Sequence, residues 1–404
     1  MIRAGLVLGT AAWVLGVVFL WRTSVPHLQL SGLDPHRYFS DPLLARAHRY
    51  SRGLDVIWLL GQIATLAALG VLAWRLPRSA RGIGLGRVST AIVIGMVVVS
   101  TVWFVGLPFS IASLWWQHRY GLGPFDVAGW LSTQWAQLGA SAIFALAGIA
   151  LIVALAVRFP RTWWLPGTAI LVGLTALLVF VSGWLGVIGT HPVRDPRLRA
   201  GVARLEATEH VHPPVRVLDV SDWTDQPNGF TAGYGPSTHV VLWNTLLDGR
   251  FSPGEIDVVV AHELGHAASR HILKSIAWYA LLILPAALIV FAVTEPRGGL
   301  RNPANVPLAI LVFTVFGLVA SPLQNAVSRR YEAEADWRAL VATKDPASAR
   351  QLFREFVPTT LEDPDPPLWD YAFLENHPTI AQRLAMVEAF RERLSSARGS
   401  RGGP

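Results

Sequence analysis

The residues best placed to do chemistry lie in Val258-Val-Val-Ala-His-Glu-Leu-Gly-His266, continued by Ala267 to His271. The stretch reads H-E-x-x-H inside an apolar run. On a helix His262 and His266 are four apart, so both imidazoles leave one face about one turn apart. Two nitrogens set that way grip a single Zn²⁺, with a third protein ligand and a water completing an open site. Glu263 lies about 100° round the helix, within reach of the metal-bound water without being a ligand, as a general base must be. Five-residue patterns also recur by chance, and two histidines facing a polar cleft is the plainer alternative. Upstream, Ser252-Pro253-Gly254-Glu255 has the order of a helix start: Ser as N-cap, Pro first, Glu third.

A third ligand has to come from elsewhere. Ser328-Arg-Arg-Tyr-Glu332-Ala-Glu-Ala-Asp336 follows two apolar runs, at 275–293 and 306–320. An even number of crossings returns the chain to the side of the histidine pair, so Glu332 can meet it. Glu332 and Asp336 share one helical face, which aims a ligand carboxylate and a supporting carboxylate at one place. Glu334, about 200° from Glu332, is predicted to face solvent or pair with a nearby arginine. Taken alone this segment reads as a solvated charged helix; the preceding motif and the topology reverse that. Farther on, Glu375-Asn-His377-Pro-Thr-Ile-Ala-Gln-Arg383 leads into a helix to about 394, with His377 capping or preceding it.

These groups need a scaffold, and composition says of what kind. The chain has 404 residues, 52% of them apolar, and only 15% charged, with a mean hydropathy of +0.40. That balance points to a membrane protein. There is no cysteine, which excludes disulfides, thiolate metal sites and cysteine nucleophiles. The net charge of +7 is carried almost wholly by arginine, Lys274 and Lys344 being the only lysines. No basic run interleaves with aromatics, so nucleic acid is not an expected partner; the lipid bilayer is. The arginine bias suggests a GC-rich bacterial genome.

Apolar runs fall at 4–21, 54–74, 89–116, 139–157, 168–189, 275–293 and 306–320, giving seven candidate spans, with Pro108 and Pro285 breaking or kinking two of them. The first is read as a retained span, because Trp21-Arg22 follows it where a cleavage site would need small residues. The chain divides into an N-terminal membrane domain of five spans at 1–190 and a polar segment at 191–274 that carries the edge strand and the histidine helix. Two further spans lie at 275–321, a C-terminal part of the same polar domain at 322–394, and a disordered tail at 395–404. Within 191–274, residues 198–209 read as an amphipathic helix, and 215–220 and 239–243 as strands. Asn228-Gly-Phe-Thr-Ala-Gly-Tyr-Gly-Pro236 suits a turn and an exposed edge strand, either an ordinary connection or a strand that pairs with an extended peptide. The Pro- and Asp-rich stretch 358–370 is expected to be a surface loop.

The His262–His266 motif, the Ser328–Asp336 segment, His377-Pro with Arg383, and the stretch from Asn228 to Leu247 occur in an order that resembles the integral-membrane zinc metalloproteases of the CAAX prenyl endopeptidase type. More distantly it resembles a heat-shock membrane protease of bacteria. The resemblance covers most of the chain. It implies a mainly α, polytopic fold of about seven helices around a water-filled chamber, with a zincin-like domain carrying a small β-sheet. It implies one Zn²⁺ per chain held by His262, His266 and Glu332, Glu263 as base, and Asp336 orienting a ligand histidine. His377 and Arg383 would stabilise the oxyanion or hold substrate backbone, and Asn228 with the following strand, including Ala232 and Gly233, would bind peptide. Gly229 departs from the eukaryotic pattern, which has Ala after the Asn. The expected activity is zinc-dependent hydrolysis of peptide bonds in peptides or membrane proteins, in a bacterial plasma membrane with the site on the cytoplasmic side. Charge alone divides on orientation, because loop 75–88 carries four Arg and the segment 22–53, on the other side, carries five. The rival classes are a metal-holding transporter, which needs ionisable residues within the spans, and a non-catalytic chaperone or scaffold, against which the full set of ligand and base residues argues.

Overall fold

The computed structural model describes residues 2–399 apart from 29, 31–32, 80–83 and 223. Arg81 of the 75–88 loop therefore lies outside the described residues. The seven apolar runs fall in helices, except that 168–189 outruns its helix by four residues: α1 (Ile2–Trp21), α2 (Asp41–Ser79), α3 (Arg87–Arg119), α4 (Val127–Arg158), α5 (Trp164–Leu185), α8 (His271–Thr294) and α9 (Val306–Thr343). Among the described residues, five are long and apolar enough to cross a membrane, in α2, α3, α5, α8 and α9; the apolar stretch Ala142–Arg158 of α4 is shorter. This is a multi-pass membrane protein, and the expectation of seven spans stands at five by length and composition. Helices α3 and α8 run unbroken through Pro108 and Pro285.

The polar segments build the second body. Between α5 and α8 come β1 (Thr190–Pro192), α6 (Pro196–Glu209), β2 (Val215–Leu218), β3 (Gly229–Ala232), β4 (His239–Trp243) and α7 (Pro253–Ala268). The sheet order is β1-β2-β4-β3, with β2 parallel to β4 and β3 antiparallel to it. β3 is thus an edge strand, its second ladder of N–H and C=O groups unpaired within the sheet. After α9 follow α10 (Pro346–Thr360), α11 (Leu368–Phe373) and α12 (Ile380–Gly399). One buried cluster unites both halves: Leu205 of α6, Val240 and Leu242 of β4, Val260 and Leu264 of α7, Leu340 of α9, Leu352 and Phe353 of α10, and Leu384 of α12. Burial of this shared apolar surface, not local propensity, holds segments more than a hundred residues apart in register.

Two expectations are corrected here. The stretch 358–370 is not a surface loop: α10 and α11 take its ends, and Leu361, Asp363 and Asp370 are buried, because the turn packs back against α2, where His48 meets Asp363. The tail is not disordered from 395: residues up to Gly399 continue α12, and 400–404 lie outside the described residues.

Candidate metal centre and active site

The start of α7 has the geometry its sequence predicts. The Ser252 hydroxyl accepts from the Glu255 backbone N–H, and the Glu255 carboxylate accepts from the Ser252 N–H at 2.8 Å. A box of this kind contributes about 1 kcal/mol and sets the rotational phase of the helix, and with it the direction of His262 and His266. α7 lies along α9 so closely that a Cβ on Gly265 would stand 3.4 Å from the Cα of Ala335. Small residues at this crossing let the two helices share one site.

Three donor atoms converge there. His262 Nε2 is 3.0 Å from His266 Nε2, and Glu332 Oε2 is 3.2 Å from the first and 3.5 Å from the second. A tetrahedral ion bound at about 2.0–2.1 Å has donor–donor edges of about 3.3–3.4 Å, so these atoms form one face of such a tetrahedron. Among the described residues they are also the one His/Cys/Asp/Glu group with mutually close donors. Glu332 Oε2 is buried without a hydrogen-bond donor, and two imidazole nitrogens facing each other need something positive between them. The donor set fits a divalent metal. Burial opposes charge on His262, yet the neighbouring Asp336 and Glu332 carboxylates outweigh this and push its pKa up to about 10, so the place between the donors favours positive charge.

Around this face the supports are layered. His262 Nδ1 lies 2.9 Å from Asp336 Oδ1, which leaves Nε2 free to ligate. Asp336 is in turn gripped by both arms of Arg383, Nε to Oδ2 at 2.8 Å and Nη2 to Oδ1 at 2.6 Å. Glu263, buried beside the cluster, accepts a hydrogen bond from the Thr231 hydroxyl of β3 at 2.8 Å. His377 Nε2 stands 3.3 Å from Glu332 Oε2, and its Nδ1 is 2.7 Å from the Asn376 carboxamide oxygen. Burial disfavours the His377 cation, but Glu332 outweighs it and raises the pKa. Arg329 of α9 donates to the carbonyls of Tyr371 and Glu375, and Asn325 to that of Ala372, so the helix bearing Glu332 also holds the segment bearing His377.

A cavity of about 730 Å³ opens on the cluster, lined by Asn228 to Thr231 on one side and Trp278, Leu282, Phe313 and Phe316 of α8 and α9 on the other. A second, of about 770 Å³, lies among the membrane helices and shares Tyr279, Ile283 and Phe313 with the first.

Comparison with known proteins now bears on the fold and the site together. Residues 192–391 match the model of peptidase family M48. A protease HtpX homolog from Acidiphilium cryptum is 30% identical over 253 residues, covering 55% of this chain and 86% of that protein. The chain belongs to peptidase family M48. The uncharacterized metalloprotease YhfN of Bacillus subtilis is 26% identical over 250 residues, a match that spans 57% of each chain. The crystal structure of Ste24p from S. mikatae superimposes with a TM-score of 0.72 at 18% identity, over 94% of this chain and 96% of that one, so the whole architecture, membrane helices included, has that fold. The protein is a membrane metalloprotease of family M48.

In this M48 chain the structure brings His262, His266, Glu263, Glu332 and Asp336 together as the spacing and topology predict, and sets His377 beside Glu332 as the resemblance implies. It differs at four other positions. Arg383 is engaged by Asp336 and stacked 4.2 Å over Phe353, an arrangement that directs its charge inward. Ala232 and Gly233 turn away from the cluster towards α5, where a Cβ on Gly183 would stand 2.9 Å from the Gly233 Cα; Gly233, at φ +71°, makes that turn. The part of this stretch that lines the cavity is Asn228 to Thr231. Glu334 is neither solvent-facing nor paired with arginine, but buried against His271 and Lys274. His377 precedes α12, one of the two readings its position allowed, and Thr379, whose hydroxyl and N–H exchange hydrogen bonds with Gln382, caps it. Sequence reasoning missed Thr231, Asn376 and Arg329, whose roles depend on contacts across 32, 1 and 46 residues; only Asn376, adjacent to His377, carried a local signal.

Proposed function

We propose that the protein is a zinc-dependent endopeptidase that cleaves peptides or membrane-protein segments within its cavity. The observation that carries this reading is the three-donor face of His262, His266 and Glu332, with Glu263 beside it on the cavity wall. Zinc, when bound, supplies Lewis acidity that makes a water nucleophilic near neutral pH and polarises the scissile carbonyl. Glu263, held by Thr231, takes the proton from the attacking water and delivers it to the leaving amine. His377, set beside Glu332 and oriented by Asn376, donates to the negative charge that develops on the carbonyl oxygen. Asn228 and the free edge of β3 from Gly229 to Thr231 pair with the extended substrate backbone. The apolar wall of Trp278, Leu282, Phe313 and Phe316 supports substrates drawn from the membrane, and the bacterial sources of the relatives support a bacterial plasma membrane. A cytoplasmic site is part of the same reading and is tested by reporters fused after Arg87 and Pro404.

The deciding experiment compares zinc content and cleavage of a peptide library by the purified protein in detergent with those of Glu263→Gln. About one zinc per chain in both, with cleavage lost in the variant, is the expected result. A variant as active as the wild type removes Glu263 as base, and absence of zinc from the wild type removes the reading as a whole.

A further inference from the structure

His271 is buried at the first turn of α8, and nothing in the reaction described above uses it. Five residues after His266, it would stand about 140° away on a continuous helix, out of contact. The chain does not continue straight. α7 ends at Ala268, and Arg270 adopts the left-handed conformation at φ 54°, ψ 40°, a state that costs a non-glycine residue about 1 kcal/mol or more. The strained turn folds His271 back under α7, where its Nδ1 lies 2.9 Å from Nδ1 of His266. On its other side, His271 Nε2 is 3.0 Å from Glu334 Oε2. Glu334 is itself held by Lys274 at 3.5 Å and by the Ser24 backbone N–H at 2.6 Å, and the His271 ring stacks on Tyr331 at 4.6 Å and 8°.

This chain of contacts permits one protonation pattern compatible with metal binding. An ionised carboxylate only accepts, so His271 must carry its proton on Nε2. Its Nδ1 then presents a lone pair, which requires the His266 proton on Nδ1. That leaves the His266 Nε2 lone pair facing the cluster. We propose that His271, oriented by Glu334, is the positioning residue for His266, the counterpart of what Asp336 and Arg383 do for His262. The inference rests on the metal-site reading given under Proposed function. Each ligand histidine then has its outer nitrogen fixed by a different arm, one reaching α12 through Arg383 and one reaching the segment after α1 through Ser24.

The test is a chelator-competition titration of zinc on the full-length protein in detergent, for wild type, His271→Phe and His271→Asn, with apparent unfolding midpoints of the metal-free proteins alongside. His271→Phe keeps the ring that stacks on Tyr331 and removes the acceptor. His271→Asn removes the ring and places a carboxamide oxygen near the Nδ1 position. Loss of a ligand's orienting partner weakens metal binding by about 10–100-fold, and that loss is expected in His271→Phe with recovery of most of the affinity in His271→Asn. Wild-type affinity in His271→Phe overturns the inference. So does equal weakening in both variants that tracks their unfolding midpoints, since that pattern belongs to packing alone. A wild-type protein that binds no zinc fails the underlying reading instead, so the two failures are distinct.

Discussion

Replacing Arg383 by methionine separates two roles that the sequence leaves open. Methionine approximates the aliphatic length over Phe353 and removes the charge. Asp336, only 2% exposed, then keeps His262 but loses both guanidinium contacts. Removing one partner of a buried pair costs about 3–5 kcal/mol, and the low end applies here because His262, whose pKa Asp336 helps to raise, stays against the carboxylate. The carboxylate has one escape, which is to take up a proton; at about 1.4 kcal/mol per pH unit from an ordinary pKa of about 3.9, that route caps the penalty near 4 kcal/mol at pH 7 and near 1.5 kcal/mol at pH 5. The expected outcome is therefore a large loss of stability at pH 7 that shrinks by about half at pH 5. Denaturant midpoints of the metal-free proteins, in one detergent at the two pH values, measure it. The double variant Arg383→Met, Asp336→Leu should regain most of the lost stability while zinc affinity stays low, because the His262 orienting group has gone. A loss under about 1 kcal/mol at pH 7, unaffected by acid and accompanied by lost turnover, would refute the reasoning and return Arg383 to the substrate.

Thr231→Val preserves shape and deletes the hydroxyl that steadies Glu263. A lost hydrogen bond of about 1 kcal/mol predicts a turnover fall of about 5–10-fold with zinc binding unchanged, read by peptide cleavage and metal content; unaltered turnover removes Thr231 from the site. The segment from α11 to His377 should loosen as pH rises. Burial, then Glu362 and Asp370, push Glu375 from 4.5 up to about 7, and burial, then Asp55 and Asp363, push Asp370 from 3.8 up to about 6. Groups with raised pKa values bind more protons when folded, so their stabilisation is full below about 4 and is lost as pH climbs towards 7. Hydrogen-exchange protection of residues 361–377 should decline between pH 5 and pH 7.5, and an increase would contradict the assignment.

What the sequence determined by itself was whatever depends on short-range periodicity. The four-residue spacing of His262 and His266, and of Glu332 and Asp336, puts each pair on one face of any helix that contains it. The Ser252-to-Glu255 box begins α7 where the pattern says. Hydrophobic run lengths announce the membrane helices, and the alternation in 215–218 and 239–243 announces strands, because each rests on a backbone repeat of 3.6 or 2 residues. The even number of apolar runs between the two motifs was enough to bring them to one side.

Tertiary structure decided everything that turns on where a side chain finds its partner. Arg383 lies 47 residues from Asp336 and could as well have faced the substrate; it turns inward because a buried carboxylate without a cation is too costly to leave. Glu334 looked solvated from its helical phase, but the left-handed turn at Arg270 delivers His271 to it, and no periodicity rule foresees a break of two residues between two helices. Ala232 and Gly233 left the expected site because Gly233 bends the chain against Gly183 of α5, a contact 50 residues distant. Local pattern fixes which way a residue points from its own helix or strand, and only the packed fold decides what stands opposite.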